Sequence, residues 1–398
     1  MPTNSQKTTR NVALAYPAAI PWMALFVQGV ADYARKHANW KITTSPPTLS
    51  GADELALNIF SLRGWPGDGA IAAIANKDEA RTAREIGMPV VNLSGSLEDA
   101  GVPRVMIDHF SIGRMAAEHL LDRGFHRLAF CGTEELYYSR RRAEGFAQYA
   151  EQAGVPCEIF DMQRIADPRT SWKRRIGPLS KWLSSLQRPV GLMAIHDYRA
   201  RMIMDECDRL KLNVPHDIAV VGVDNDQTVC EYSHPTLSSV CRNSWRVGYE
   251  SAALLDRLMS GESPDDTEIL IQPEGIAARQ STDTVVIDDK HVSTAVHYMR
   301  GHLGEAFGID QVVKHIPISR RQLEMRFRRS VGCSPKDYLL RLRVERAKEL
   351  LQDSRRLKMH CVAVACGFSS AERLRLVFLR LTGQTPLEYR RSGRASQS

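Results

Sequence analysis

The sequence lacks the features that mark a membrane or secreted protein. No run approaches the ~18 consecutive apolar residues that a membrane helix needs, and the polar start MPTNSQKTTRN is not followed by the apolar core of a secretion signal. The eight cysteines never form a Cys-x-x-Cys pair, although Cys361 and Cys366 lie five residues apart. Such scattered cysteines favour free thiols in a reducing cytoplasm over zinc sites or disulfides. We therefore expect a cytoplasmic protein with no membrane association.

Signatures of catalysis are also missing. The sequence contains no Gly-rich phosphate loop, no metal-ligand spacing and no Ser/His/Asp set at recognisable offsets. The cluster Asp224-Asn225-Asp226 offers oxygen ligands for a cation, but nothing in the sequence supplies the remaining ligands of a coordination shell. We therefore expect no enzymatic activity, no cofactor and no metal.

The charge of the chain is unevenly distributed. Residues 291–398 contain 21 Lys or Arg and 9 Asp or Glu, a net charge of +12, whereas residues 1–290 contain 32 and 37, a net charge of −5. A basic unit attached to an acidic body is typical of a nucleic-acid-binding module joined to something else. Charge alone would still favour the interpretation that the Arg-rich helices are merely solvated. The prediction of a nucleic-acid-binding module therefore depends on the motifs.

The C-terminal part contains two helix-turn-helix patterns, at about 309–330 and 359–380. In the first, Ser319 is a suitable N-cap, and Leu323 and Phe327 fall four residues apart on one helix face. In the second, a glycine falls in the turn, where a positive φ is expected, and Ser369 or Ser370 caps the following helix. Each unit thus pairs a short helix with an Arg-bearing second helix.

A long helix connects the two units. It begins at Pro335 and runs to about Gln352, which at about 1.5 Å per residue is roughly 27 Å. We expect this connector to hold the two reading helices about 34 Å apart, the distance between successive major-groove faces of B-DNA. Arg pairs bidentately with guanine and Gln with adenine. The residues predicted to contact DNA are Arg320, Arg321, Gln322, Glu324 and Met325 in the first reading helix, and Glu372, Arg375 and the phosphate-contacting Arg373 in the second.

This region resembles the DNA-binding domain of the AraC family of transcription regulators. The residues that carry the resemblance are Ser319–Leu323, Phe327, Gly332, Pro335, Arg346-Ala347, Gly367–Ser369, Phe378, Gly383, Pro386 and Tyr389. So many residues at fixed offsets form a specific signal. The resemblance implies sequence-specific binding of double-stranded DNA by an all-α domain.

The N-terminal part alternates short apolar runs with helical patterns. A first strand is expected at Asn11–Tyr16. Further strands are expected at 41–44, 69–73, 89–93, 105–107, 127–131, 190–195 and 219–223, and helices at 22–36, 52–62, 77–86, 111–123, 138–153, 171–186 and 198–211. Such alternation predicts parallel sheets with covered faces. Seven or more strands over about 280 residues predict two α/β lobes.

This body resembles the sugar-sensing core of the LacI family, which is built like type-1 periplasmic binding proteins. The carrying residues are Asp108, His119-Leu120, Gly124, Arg127–Phe130, Arg142–Phe146, Asp197, Val214-Pro215, Val220–Asp224, Leu237–Val240, Gly248, Ala252–Leu255 and Arg279–Thr282. The predicted organisation is a disordered segment 1–10, a two-lobed ligand-binding domain 11–281, a linker 282–290 and a DNA-binding domain 291–398.

Ligands of such folds lie between the lobes, beyond the carboxyl ends of the strands. Asp224 and Asn225 follow a strand directly, and the LacI resemblance places ligand contacts at Arg142, Asp197 and Asp224. From spacing alone Asp197 would rather be a helix N-cap, and Asn225 could form a turn. Tyr16 and Trp22 flank the first strand-to-helix loop and are candidates for an aromatic wall, although core packing is the better interpretation for either residue taken alone.

The two resemblances together imply a transcription regulator whose effector is a small molecule, such as the monosaccharide xylose. It would act as a homodimer on double-stranded DNA and could contact RNA polymerase. One alternative is the same regulator with a non-pentose effector. Another is a sugar-binding or sugar-processing protein whose basic tail anchors it to nucleic acid, and a third is an extracytoplasmic binding protein.

Overall fold

A computed structural model describes residues 9–16, 23–44, 57–162, 171–263, 267–284, 289–331, 333–353 and 357–395. The chain divides into an N-terminal unit, residues 1–284, and a C-terminal unit, residues 285–398. Each unit has its own hydrophobic core. Among the described residues, no helix combines the length and the apolar character needed to span a bilayer.

The N-terminal unit alternates strands and helices. Its strands are β1 (Arg10–Ala15), β2 (Trp40–Thr43), β3 (Gly69–Ala72), β4 (Val90–Asn92), β5 (Arg104–Ile107), β6 (Leu128–Gly132), β7 (Cys157–Asp161), β8 (Val190–Ala194), β9 (Ile218–Val223), β10 (Ser238–Cys241), β11 (Glu268–Ile271) and β12 (Gly275–Ala277). Its helices are α1 (Met23–His37), α2 (Lys77–Glu85), α3 (His109–Leu121), α4 (Tyr137–Gln152), α5 (Trp172–Ser185), α6 (Asp197–Arg209), α7 (Gln227–Glu231) and α8 (Ser244–Met259).

The strands form two sheets, and each sheet is the centre of one lobe. The first lobe has the strand order β11-β5-β4-β3-β1-β2, and all of its pairs are parallel. The second has the order β12-β10-β9-β8-β6-β7, with only the β10–β12 pair antiparallel. The chain passes between lobes after β5, after β10 and after β11. The prediction of two α/β lobes with parallel sheets is confirmed.

Each lobe contains a helix pair that packs backbone against backbone. A Cβ atom added to Gly29 of α1 would lie 2.0 Å from the carbonyl oxygen of Trp245 in α8, and one added to Gly248 would lie 2.0 Å from that of Phe26. In the other lobe, a Cβ atom added to Gly113 of α3 would lie 2.0 Å from the carbonyl oxygen of Arg142 in α4. Only glycine permits this approach, so these helix pairs fix the positions of the strands and loops that follow them.

Several predicted elements differ from the observed ones. β1 begins at Arg10, inside the segment predicted to be disordered, whose residues 1–8 lie outside the described part. Of the helix predicted at 52–62, the described portion contains only a 3-10 turn, Ile59–Leu62, capped by Asn58. The strand predictions missed β7, β10, β11 and β12. β7 and β11 are largely exposed, β12 has only three residues, and β10 carries serines at buried positions.

The C-terminal unit is all-α. Its helices are α9 (Lys290–Gly301), α10 (Ile309–Lys314), α11 (Arg320–Val331), α12 (Pro335–Asp353), α13 (Met359–Ala365), α14 (Ala371–Thr382) and α15 (Pro386–Ala395). Helices α10 and α11 form the first helix-turn-helix and α13 and α14 the second. Asp289 caps α9, and Ser370 caps α14. The long helix α12 contributes Leu339 to the core around α11 and Val344 to the core around α14, so it joins the two helix-turn-helix units.

Candidate ligand cavity and nucleic-acid surface

A cavity of about 470 Å³ lies between the two lobes of the N-terminal unit. Its walls come from the carboxyl ends of strands in both sheets, where parallel strands direct the residues that follow them. The first lobe contributes mainly small or apolar side chains, with Ser94 and Ser96 after β4. The second lobe contributes charged groups, including Asp197, Asp224 and Arg242.

Arg142 lies in this wall and is only 2% exposed. Its guanidinium donates through Nη1 to the carbonyl oxygen of Ile195 and sits over the ring of Tyr138, 5.1 Å from the centroid. Burial lowers the pKa of Arg142 to about 10, and the negative charge of Asp224 opposes that shift. Its Nε has no hydrogen-bond partner among the described residues. A guanidinium in the cavity wall is suited to binding a polar ligand, because it carries five N–H donors.

Asp224 and Asn225 form a tight turn after β9. Both have positive φ angles, 109° and 52°, which are uncommon for residues other than glycine. The Asp224 carboxylate accepts from Arg242 Nη1 at 3.3 Å and lies in the cavity wall. Asn225 is not part of that wall. Its side-chain oxygen instead accepts from Arg279 Nη2 at 2.9 Å.

Asp197 begins α6 and is fully buried, but it is not the N-cap, because His196 accepts the hydrogen bond from Arg199 N–H. Asp197 Oδ1 accepts from Ser239 Oγ at 2.6 Å, and Oδ2 accepts from the Asp226 N–H at 2.8 Å. Burial, with the nearby charge of Asp224, raises the pKa of Asp197 to about 7. Both carboxylate oxygens are therefore committed to the protein framework.

Of the two predicted aromatic wall residues, the structure describes only Tyr16. Tyr16 packs edge-on against Phe26 with ring centroids 6.2 Å apart and does not line the cavity. Burial raises its pKa. Trp22 and the loop 17–22 lie outside the described residues. Among the described residues, Tyr138 and Tyr198 line the cavity.

The first reading helix, α11, presents a polar face. Arg320, Arg321, Gln322 and Met325 are exposed, and Met325 is 64% exposed. Arg320 is paired with Asp310 at 2.7 Å and Glu324 at 3.2 Å. Gln322 Oε1 accepts from the N–H of Ser319 at 2.9 Å and from its hydroxyl at 3.1 Å, so reading adenine with this oxygen would require release of the cap.

The second reading helix, α14, also presents charged side chains. Arg375 donates to both carboxylate oxygens of Glu372, at 3.0 and 2.8 Å. Arg373 is exposed on the same helix, and its backbone N–H is held by the Ser370 cap at 3.1 Å. The apolar positions Leu374, Val377 and Phe378 are buried on the opposite side. Most of the predicted reading residues of both helices are thus exposed to solvent.

A groove of about 420 Å³ separates the two helix-turn-helix units. Arg320 and Arg373 line it from the starts of the two reading helices, with Lys336 and Arg343 between them on α12. Arg343 is 7% exposed and donates through Nη2 to the carbonyl oxygens of Glu305 and Phe307, at 3.1 and 3.0 Å. The groove concentrates positive charge between the reading helices, which favours contact with DNA phosphates.

Family models agree with this division. Residues 18–174 match the model of periplasmic binding proteins and sugar binding domain of LacI family, and residues 117–282 match the periplasmic binding protein-like domain. Residues 312–392 match a helix-turn-helix domain.

Relatives with the same two parts have been described. The xylose operon regulatory protein of Escherichia coli (strain K12) is 30% identical over 372 residues, which cover 92% of each chain. This chain belongs to the family of xylose operon regulatory proteins. The Haemophilus influenzae protein of that name is 27% identical and covers 95% of this chain and 97% of its own.

Members of this family are also represented among solved structures. The structure of the xylose-binding transcription activator xylR has a TM-score of 0.74 and 27% identity, and the match covers 97% of this chain and 98% of the other. A LacI family regulator from Enterococcus faecium with bound ribose matches 70% of this chain at 21% identity and a TM-score of 0.52, which supports the fold of the lobes. As a family member, this chain is a DNA-binding transcription regulator with a sugar-binding type of domain, and not an enzyme.

The sequence predictions missed part of the cavity wall of this family member. His109, the first residue of α3, is 5% exposed, and its ring packs against Tyr138 with centroids 5.6 Å apart. Burial, reinforced by Arg142 and Arg242, lowers its pKa well below the ordinary value. His109 and Arg242 follow strands β5 and β10 closely, so the rule that pointed to Asp224 also applies to them.

Proposed function

We propose that this regulator binds a monosaccharide between its lobes, with xylose as the first candidate, and that binding changes its affinity for DNA. Support comes from the similarity to xylose operon regulatory proteins and from the charged wall formed by Arg142 and Asp224 around a cavity of about 470 Å³. Such a volume lies in the usual range of small-ligand sites, ~300–1,000 Å³. The observation that carries the proposal is the buried guanidinium of Arg142, which lines the cavity near the carboxylate of Asp224.

The proposed roles follow from the groups that remain available. Arg142 donates to ligand hydroxyls, and Asp224 accepts from them, because a sugar offers both donors and acceptors but no charge. Asp197 holds the wall in place through Ser239 and Asp226. Asn225 acts indirectly, through Arg279. A direct role for Tyr16 has no support from its position, and Trp22 remains a candidate from the sequence.

The DNA-contacting set is also proposed. Residues on α11 and α14 read adjacent major grooves, and Lys336 and Arg373, which line the groove, contact phosphates. We place the ligand-binding domain at 11–281, the linker at 282–290 and the DNA-binding domain at 291–398. A homodimer would address two half-sites and could contact RNA polymerase in the cytoplasm.

A second candidate is the same regulator with a different sugar as effector. In the described wall from the first lobe, Met23, Ala73, Ala75 and Leu93 are apolar and Glu79 is the one charged residue, so most of the charged contacts come from the second lobe. This asymmetry favours a ligand with one less polar face. Such an effector would leave the DNA-binding function unchanged.

A titration of purified full-length protein distinguishes these candidates. D-xylose, D-ribose, L-arabinose and D-glucose are each tested by calorimetry and thermal shift, and a ligand at 100 times its Kd adds about 2.7 kcal/mol of stability. Asp224→Ala should abolish the response and leave DNA affinity without sugar intact, whereas Asp205→Ala, at an exposed position of α6, should respond normally. A response that survives Asp224→Ala would remove the cavity from the proposal, and a response to another sugar alone would favour the second candidate.

A further inference from the structure

Two adjacent serines of β10, Ser238 and Ser239, are both fully buried. Successive residues of a strand point to opposite faces of the sheet. A buried strand normally carries apolar side chains, and a buried hydroxyl needs hydrogen-bond partners. The partners of these two serines lie in different parts of the N-terminal unit.

Ser239 is bonded to the wall of the ligand cavity. Its Oγ donates to Asp197 Oδ1 at 2.6 Å and accepts from the backbone N–H of Asn225 at 3.0 Å. Asp197 lines the cavity, and Asn225 directly follows Asp224 in the turn with positive φ angles. Movement of Asp197, or of the turn formed by Asp224 and Asn225, would therefore displace Ser239.

Ser238 is bonded to the segment that leaves the N-terminal unit. Its Oγ accepts from the Arg279 N–H at 2.7 Å, pairs with Thr282 Oγ1 at 2.7 Å and donates to the Arg279 carbonyl oxygen at 3.0 Å. Its backbone N–H donates to Ser281 Oγ at 2.8 Å. The N-terminal unit ends at Thr284, so these contacts hold the last residues before the C-terminal unit.

The direction of each hydrogen bond in this network can be assigned. Arg123 Nη1 can only donate, so His119 Nδ1 accepts at 3.0 Å, and His119 Nε2 carries the proton that it donates to Thr282 Oγ1 at 2.9 Å. The Thr282 hydroxyl then donates to Ser238, which donates to the Arg279 carbonyl. Each hydroxyl of this network has defined hydrogen-bond donors and acceptors, so removing one hydroxyl leaves a buried partner without its hydrogen bond.

Arg279 provides a second connection between the same two places. Its Nη2 donates to Asn225 Oδ1 at 2.9 Å, and its Nη1 donates to the Leu237 carbonyl oxygen at 3.0 Å. Its backbone is held by Ser238. The turn at the cavity edge and the exit segment are thus connected through one side chain as well as through β10.

We propose that Ser238, Ser239 and Thr282 are positioning residues that transmit occupancy of the cavity to the segment leading to the DNA-binding domain. The inference rests on the proposed function, because it assumes that a ligand in the cavity controls DNA binding. A ligand that hydrogen-bonds to Asp224 or shifts Asp197 displaces β10 at Ser239. The bond from Ser238 to Thr282 passes that displacement to the exit segment.

The test compares wild type with three full-length variants. Thr282→Val removes the hydroxyl at nearly constant shape, and Thr282→Ser restores it. Thr82→Val is the matched control, because Thr82 is also buried and accepts from an arginine, Arg63, but lies in the first lobe outside the cavity wall. D-xylose binding is measured by calorimetry, and DNA affinity by fluorescence anisotropy on a duplex selected by the protein from a random pool.

We expect D-xylose to change the DNA affinity of wild type and of Thr82→Val by about 5- to 150-fold, the usual range of allosteric coupling. In Thr282→Val the ratio of DNA affinities with and without D-xylose should fall towards 1, while D-xylose still binds the free protein. Thr282→Ser should restore the wild-type ratio. By linkage, DNA should alter D-xylose affinity by the same factor in wild type and not in Thr282→Val. A purely structural role would lower stability and leave the ratio unchanged.

A second measurement covers the case in which Thr282→Val does not fold. Hydrogen exchange of wild-type amides in residues 279–284 should slow when D-xylose saturates the protein. Unchanged exchange there, or a full DNA response in a folded Thr282→Val, overturns the inference while the proposed function stands. Wild type that binds no D-xylose, or binds it without any change in DNA affinity, overturns the xylose proposal and this inference with it.

Discussion

Charged residues in the cavity wall are buried, whereas those on the helices predicted to contact DNA are exposed, so different interactions stabilise them. Arg142 and Asp197 are buried, so each needs a neighbouring group to offset the loss of hydration. Arg142 has a carbonyl oxygen and an aromatic face, whereas Asp197 has two strong donors and a raised pKa. Arg320 and Arg375 are exposed and paired with nearby carboxylates, an arrangement that contributes little stability and is easily exchanged for phosphate or base contacts.

Asp197 should titrate near neutral pH. Its folded pKa of about 7 lies above the ordinary value of 3.8, so the folded state binds more protons than the unfolded state between these values. The contribution of this group to stability is therefore greatest at low pH and decreases as pH rises from about 4 to 7. Infrared difference spectra of wild type minus Asp197→Asn should show a protonated carboxyl band at pH 5 that disappears by pH 9. A band already absent at pH 5 would contradict the raised pKa.

Arg321 should read a base edge. It is exposed on α11, and none of the described ion pairs or hydrogen bonds involves its side chain. Arg321→Ala should cost about 1–3 kcal/mol of discrimination at one base pair. The measurement is anisotropy on a selected duplex and its single-base variants. Arg328→Ala, further along the same helix, should weaken all duplexes equally or not at all, and equal weakening by Arg321→Ala would reassign Arg321 to a phosphate.

At the scale of elements, strands with continuous apolar sequence were predictable and β10 was not. The runs that form β6, β8 and β9 are buried along their whole length, and each was recognised within a residue. β10 reads SSVC, and its serines are satisfied only by distant partners such as Asp197 and Thr282. Long-range hydrogen bonds of this kind leave no periodic signal in the sequence.

The same difference explains which parts of the cavity could be predicted. Asp224 and Asp197 follow recognised strands. Polar residues after strand ends are expected to line a cleft, so both could be predicted. Arg242 follows the unrecognised β10. The aromatic wall depends on how α4 packs against the loop after β4, where the Tyr138 N–H donates to the Gly95 carbonyl oxygen at 2.9 Å. Such a contact between lobes requires the assembled fold.

Gly367 should determine how the two helix-turn-helix units pack. Its φ is +69°, and an added Cβ would lie 2.5 Å from the Glu305 carbonyl oxygen and 2.8 Å from that of Leu303. Gly383 has a similar φ of +75° with no atom within 4 Å of an added Cβ. Gly383→Ala should therefore cost about 1–2 kcal/mol for the left-handed conformation alone, and Gly367→Ala should cost more because the backbone must also shift.

The measurement is thermal unfolding of the full-length variants together with DNA affinity. Gly367→Ala should weaken DNA binding beyond its effect on stability, since the reading helices would no longer hold their relative positions. Equal melting temperatures and DNA affinities for Gly367→Ala and Gly383→Ala would show that the close approach at Gly367 has no influence on the domain.

For the whole molecule, the division of charge separates attraction for DNA from ligand sensing. The C-terminal residues 291–398 carry +12, and the remainder carries −5. An acidic N-terminal part does not compete for the duplex, so non-specific attraction should come from the C-terminal unit alone. Within that unit, Lys336 and Arg373 line the groove between the reading helices, where a backbone segment joining two major grooves would pass.

The dependence of DNA binding on salt should reveal these phosphate contacts. The logarithm of affinity falls linearly with the logarithm of salt concentration, with a slope of about −0.9 per phosphate neutralised. Lys336→Gln and Arg373→Gln should each reduce the magnitude of the slope by about 0.9 and weaken every duplex sequence similarly. Lys181→Gln removes an exposed charge from α5 in the N-terminal unit and should leave the slope unchanged. If the two groove variants kept the wild-type slope while losing discrimination at one base pair, their side chains would be reading base edges, and the groove would not be the path of the phosphate backbone.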